Sequence, residues 1–203
     1  MPRTHRQSLR SLYEVAAGQQ GFFTAKEAKT AGFAENTHPY HVQVGNWIRE
    51  HRGIYRLALY PFAEHPDLIT WALWSRNRTG VTEGTYSHQT ALSLHELSDV
   101  NPSKLHMTVP TWFRRNKEIP GILILHRANL SGEDVETTQG FRLTRPLRTI
   151  LDLVEADSVE RGFLRQAVHQ ALRRGLISRE EMARVSLRDP AQRRFDDIVR
   201  HAA

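Results

Sequence analysis

Three helix-spaced segments and two β-prone runs around a glycine fall within the first 60 residues, and strand and helix patterns alternate over the rest. Together these predict an α+β chain of two domains. The first domain is expected over residues 1–60 and a mixed α/β domain over 67–203. Residues 61–66, where Pro61 and Pro66 bracket Phe62-Ala63-Glu64-His65, are expected to link them. Of the 203 residues 39% are hydrophobic and 25% charged, the balance of a folded chain rather than a disordered one.

The elements of the first domain follow in order. Leu9, Leu12, Tyr13 and Ala16 make one apolar face over Ser8 to Ala17, and Gly18 stops that helix. Thr24-Ala25-Lys26-Glu27 has the form of a capping box, in which Thr24 accepts from a backbone N–H three residues on and Glu27 reaches back. The helix it opens is expected to end near Gly32. A third helix starts around Asn36-Thr37-His38-Pro39, with polar caps and a proline suited to a first turn, and runs to about Val44 before Gly45. Trp47-Ile48-Arg49-Glu50 and Ile54-Tyr55-Arg56-Leu57, around His51-Arg52-Gly53, read as a hairpin.

In the second domain Leu68 to Trp74 and Ser87 to Leu94 read as helices, the latter capped by Ser87. Leu105 to Val109 and Ile122 to Leu125 read as strands, the second an apolar run suited to burial on both faces, and Phe141-Arg142-Leu143 as a third. Pro146 opens a helix whose Leu147, Ile150, Leu151 and Val154 share a side. Val159 to Arg174 is amphipathic, Gly175 ends it, and Ser178 caps the next helix.

Lys and Arg number 28 against 22 Asp and Glu, a net charge of +6. Residues 1–60 hold eight of those cations and four of the acids. Such an excess suits a polyanion whose phosphates shed counterions, and it equally serves solubility. The absence of cysteine excludes disulfides, thiol catalysis and cysteine-ligated zinc. No apolar run approaches a membrane span, and no apolar secretory core follows the basic Met1-Pro2-Arg3-Thr4-His5-Arg6, so a cytoplasmic protein is expected.

Three helices followed by a hairpin are the plan of a winged helix-turn-helix, whose last helix enters the major groove. That helix offers Thr37, His38, Tyr40, His41 and Gln43. Glutamine pairs bidentately with adenine, and histidine donates to phosphate or guanine. Its inward face is open between a stripe of Tyr40, Val44 and Trp47 and one of Val42 with His38 or Asn46. Arg49, His51, Arg52 and Arg56 crowd the hairpin, and Lys26 and Lys29 on the preceding helix are natural backbone clamps. The same unit also serves as a protein-interaction module in other folds.

The string Gly45-Asn46-Trp47-Ile48-Arg49-Glu50-His51-Arg52-Gly53-Ile54-Tyr55-Arg56-Leu57 resembles the wing of AbiEi-family antitoxins of type IV toxin–antitoxin systems. Tyr86-Ser87-His88-Gln89-Thr90-Ala91-Leu92-Ser93-Leu94-His95-Glu96-Leu97 is similar to the helix that begins that family's second domain. His106-Met107-Thr108-Val109-Pro110 and Thr144-Arg145-Pro146-Leu147-Arg148-Thr149-Ile150-Leu151-Asp152-Leu153 are similar to two further segments. The resemblance implies a winged helix followed by an α/β domain. It also implies repression of the protein's own operon and neutralisation of a co-transcribed nucleotidyltransferase-like toxin. The helix Thr37-His38-Pro39-Tyr40-His41 departs from the family in being less basic.

Other chemistry finds little support. His38 with His41, and His88 with His95, share helix spacing but lack the acidic neighbours of a metal or hydrolytic motif. Ser87 and His88 have no Gly-x-Ser-x-Gly frame, and Gly80, Gly84 and Gly121 precede no phosphate loop. The stretch after Asp152 offers no acidic metal ligands on strands, as a nuclease needs. No cofactor, no metal and no catalytic residue is therefore expected. Arg148 and Asp152, four apart, read as a structural ion pair. Arg161, Arg165, Arg173 and Arg174 read either as a solvated face or as a second basic surface for DNA or toxin. Trp112-Phe113-Arg114-Arg115 reads either as an exposed aromatic-basic patch or as core plugs.

Overall fold

The computed structural model describes residues 4–115, 118–138 and 140–202, a mixed α+β fold with two sheets. The chain divides into two compact units. The first runs through Glu83 and takes in Thr137–Phe141, and the second comprises Gly84–Glu136 with the chain from Arg142 onward. The division expected at 61–66 thus falls after Glu83.

The first unit begins with α1 (His5–Ala17), a short strand β1 (Phe22–Thr24) and α2 (Ala25–Ala31). The capping box forms as its residues dictate. Thr24 Oγ1 accepts from Glu27 N at 3.2 Å, and Thr24 N donates to Glu27 Oε2 at 2.7 Å. Gly32 ends α2 at φ 109°, in the left-handed region that glycine adopts freely. A 3-10 turn (Glu35–Thr37) leads into α3 (His38–Gln43), then β2 (Trp47–His51) and β3 (Ile54–Leu57). The sheet is antiparallel in the order β1-β3-β2, so the expected hairpin gains an unexpected third strand.

Trp47 anchors the core, edge-on to Phe23 and Phe33 with centroids 4.9 and 5.2 Å away, among Leu12, Ala16, Ala28 and Ala31. At Gly21 the backbone passes so close to the Tyr60 ring that an added Cβ would lie 2.6 Å from it. The helix α4 (Pro66–Trp74), expected in the second domain, belongs to the first unit. Its Leu68, Ile69, Ala72 and Leu73 are buried, it packs on β1 and β3, and Trp71 meets the His51 ring at 5.0 Å.

The second unit holds β4 (Thr85–Tyr86), α5 (His88–Leu94), β5 (Leu105–Val109), β6 (Leu123–Arg127), β7 (Val135–Thr137) and β8 (Arg142–Thr144). Four helices follow: α6 (Pro146–Ala156), α7 (Arg161–Arg173), α8 (Arg179–Ala183) and α9 (Ala191–Arg200). The sheet order is β6-β5-β4-β8-β7, with β5–β6 and β4–β8 parallel and β4–β5 antiparallel. The interior strands β4 and β5 are buried. The apolar run from Ile122, expected to be covered on both faces, instead supplies the edge strand β6, where Leu123 is buried and Ile122 stays exposed. Ile150, Leu153, Leu164, Val168, Phe195 and Ile198 make the helical core. Ser178 caps α8 as expected, with a reciprocal bond from Glu181.

Candidate nucleic-acid interface

The helix α3 sets the geometry of the first unit's surface, and its inward face is histidine-rich. His38 is 3% and His41 8% exposed. His38 Nε2 donates to the Phe33 carbonyl at 3.2 Å, and the His41 ring stacks on Trp47 at 4.5 Å and 20°. Burial, with the nearby His5 and His38, lowers the His41 pKa and keeps its ring neutral. Both residues were expected to contact DNA, and their packing against Trp47 removes them from any surface. An imidazole with one hydrogen bond and an aromatic neighbour behaves as a core side chain. The open choice of inward stripe is settled as well: Val42, His38 and His41 point in, while Tyr40 and Val44 are 60% and 47% exposed.

What α3 turns outward includes Tyr40 and Gln43, with Val44 after them and Asn36 exposed in the turn before them. Thr37 is half-buried and donates to the Ala34 carbonyl at 2.7 Å. Asn46 closes the helix end, its amide 3.4 Å from His41 Nδ1. On the hairpin, Arg49 and Arg52 are exposed, and among the described residues neither has an ion-pair partner. Arg56 differs. It pairs with Glu50 at 2.7 Å, its side chain is 13% exposed, and its guanidinium lies over the Phe22 and Phe62 rings. Expected as a contact residue, Arg56 is instead neutralised and packed. His51 is also diverted, half-buried against Trp71. Lys26 and Lys29 on α2 are exposed. Lys26 donates to the Arg78 carbonyl, and Lys29 pairs with Glu35 at 3.1 Å, an exposed contact weak enough to exchange for phosphate.

Part of the second basic surface is paired. Arg161 and Arg165 converge on Asp197 at 3.5 and 3.3 Å. Arg174 donates to the His95 carbonyl at 2.6 Å, closing the end of α5. Arg161, Arg173 and Arg174 are exposed, and Arg173 donates to Gln170 on its own helix. Phe113 is a core plug at 2% exposure and Trp112 is exposed at 62%, so that segment divides between its two readings. Arg148 and Asp152 form the expected ion pair at 2.8 Å. Burial raises the Asp152 pKa to about 6 against the pull of Arg148, and Asp152 Oδ2 has no hydrogen-bond partner among the described residues.

One feature of the second unit has no counterpart in the sequence patterns. His88, His106 and His126 stack in parallel, with the His88 and His126 centroids 3.5 Å apart and His106 Nδ1 3.0 Å from His126 Nε2. His88 Nδ1 meets Ser87 Oγ at 2.9 Å, and Thr108 Oγ1 donates to the same oxygen at 2.7 Å. Desolvation lowers the His88 pKa to about 3 and the His106 pKa to about 4, with the neighbouring rings adding repulsion. Face-to-face rings 3.5 Å apart do not converge their lone pairs on one point, as a metal would require. Among the described residues no group of three or more His, Cys, Asp or Glu is placed to hold a metal. Ser87 is fully buried, which closes it to a substrate.

No family model and no curated protein matches the chain. Its fold is similar to that in the crystal structure of the RV2827C protein from Mycobacterium tuberculosis, with a TM-score of 0.62 at 11% identity. The match covers 100% of this chain and 79% of that one. Among the described residues no helix is long and apolar enough to cross a membrane.

Proposed function

We propose that the first unit is a winged helix-turn-helix that binds duplex DNA, and that the chain is a cytoplasmic, non-enzymatic antitoxin. On this reading it represses its own operon and counteracts a nucleotidyltransferase-like toxin. The observation that carries the DNA half is the surface built around α3. Tyr40 and Gln43 on α3 and Asn36 in the turn before it are exposed, as are Arg49 and Arg52 on the hairpin and Lys26 and Lys29 on α2. Side chains that hydrogen-bond to base edges in the centre, with cations on both sides for phosphates, are what duplex recognition requires. Trp47, the first residue of β2, supports this arrangement from below, because His38 and His41 of α3 pack on it.

The antitoxin half rests on the resemblance. Its segments Tyr86–Leu97, His106–Pro110 and Thr144–Leu153 fall in the second unit, where α5 packs on both β5 and α6. Binding of the full chain to its own promoter duplex, titrated over salt, tests the first half. With about four cations engaged per copy, log affinity should fall against log salt with a slope of roughly −3 to −4. A flat response rejects DNA binding. Expression of the adjacent reading frame tests the second half: growth arrest relieved by this chain supports an antitoxin, and a harmless neighbour leaves a plain transcriptional regulator.

A further inference from the structure

We infer that the duplex site this chain reads is A·T-rich where α3 enters the major groove, an inference that rests on the winged-helix reading. From Glu35 to Val44 the chain has no lysine and no arginine, the side chains that pair bidentately with guanine. Its two histidines, which could also donate to guanine O6 and N7, are inside against Phe33 and Trp47. Glu35, whose carboxylate could accept from cytosine N4, lies at the start of the 3-10 turn before α3 rather than on the helix.

What remains at the surface is selective by chemistry. Tyr40 and Gln43 stand three apart on the exposed face of α3, with Asn36 exposed in the 3-10 turn before it. A carboxamide offers one acceptor and one donor side by side, matching adenine N6–H and N7. Guanine presents two acceptors there, so the amide oxygen would face O6 and repel it. Val44, 47% exposed, and the Tyr40 ring, 60% exposed, add apolar surface suited to the thymine methyl group. The hairpin cations Arg49 and Arg52 lie on another element, free to take phosphates without specifying sequence.

Selection by the full-length chain from a pool of duplexes with a randomised centre, at low salt, tests this. The enriched sites should hold adjacent A·T pairs in each half-site. Gln43→Ala should cut the preference for A·T over G·C at one of those positions by roughly tenfold and leave the others unchanged. Gln43→Arg should move that same position to guanine. Since Gln43 is exposed, both variants should keep the unfolding midpoint of the parent, a check made on the same preparations. Enrichment of G·C-centred sites, or selection unaltered by both variants, overturns the inference while leaving DNA binding intact. Retention of no duplex at all overturns the winged-helix reading, and this inference with it.

Discussion

In the first unit Arg49 and Arg52 stand in solvent on a hairpin, whereas in the second unit the arginines are mostly occupied with holding the fold. Arg174 donates to carbonyls at the end of α5, and Arg194 donates to the Val154 and Glu155 carbonyls at the end of α6 while pairing with Asp157. Arg161 and Arg165 share Asp197. A guanidinium at a helix C-terminus satisfies orphan carbonyls and opposes the negative end of the dipole. The two units therefore use one residue type for different ends, and an arginine count does not locate a polyanion surface. The histidines divide differently. His38 and His41 pack singly around a tryptophan, whereas His88, His106 and His126 pack on one another.

The sharpest way to break this comparison is to remove the support of the first unit. Trp47→Ala should cost about 3–5 kcal/mol, the range for large aromatic truncations in a core. Hydrogen exchange should then lose protection across α1 to β3 and keep it in α6 to α9. Equal loss in both units would show that they do not fold as separate cores. Next in size, Arg148→Ala should destabilise the second unit by about 3 kcal/mol near neutral pH, because it leaves a buried carboxylate unpaired. Adding Asp152→Asn should recover part of that loss in denaturant titrations.

Acid should separate the units further. Depressed histidine pKa values mean that the unfolded chain binds more protons than the folded one below about pH 6.5, so stability is full above that pH. It should be lost as pH falls toward the folded values of about 3 for His88 and about 4 for His106. Asp152 has the opposite sign. Its pKa is raised to about 6, so its contribution is present at low pH and lost as pH rises through that value. With three imidazoles against one carboxyl, the net slope should still be positive, with the second unit melting at lower temperature as pH drops from 7 to 5. His126→Phe should flatten that slope; an unchanged slope would put the acid sensitivity elsewhere. The smallest effect falls on the surface. Arg52→Ala should weaken duplex binding a fewfold at every sequence and reduce the salt slope by about 1. Arg161→Ala, whose partner is Asp197, should leave both unchanged.

Much of the fold was legible because local signals and packing agree. The capping boxes at Thr24 and Ser178, the stop at Gly32 and the strand Leu105–Val109 stand where their residues predict. The strand β1 was not legible. Phe22-Phe23-Thr24 is too short to show alternation, and its pairing with β3 spans some thirty residues of chain. The site residues failed where polarity was taken for exposure. His38 and His41 lie on the aromatic side of α3, and their burial is decided by Trp47 and Phe33 rather than by their own chemistry. Arg56 and Arg52 have the same side chain four residues apart, but only Arg56 faces Glu50 across the hairpin. For His126 no local pattern exists, since its neighbours in the stack come from α5 and β5, far away in sequence.

Thr137–Phe141 belongs to the first unit although the chain before and after it belongs to the second. There Phe141 meets His65, and Gly140 comes so close to Ile69 that an added Cβ would lie 3.0 Å from it. During synthesis, then, α1 to α4 emerge long before their last neighbour does. The N-terminal unit reaches its finished form only when residues 137–141 have left the ribosome, so an early segment must wait, partly open on the α4 side, for a late one.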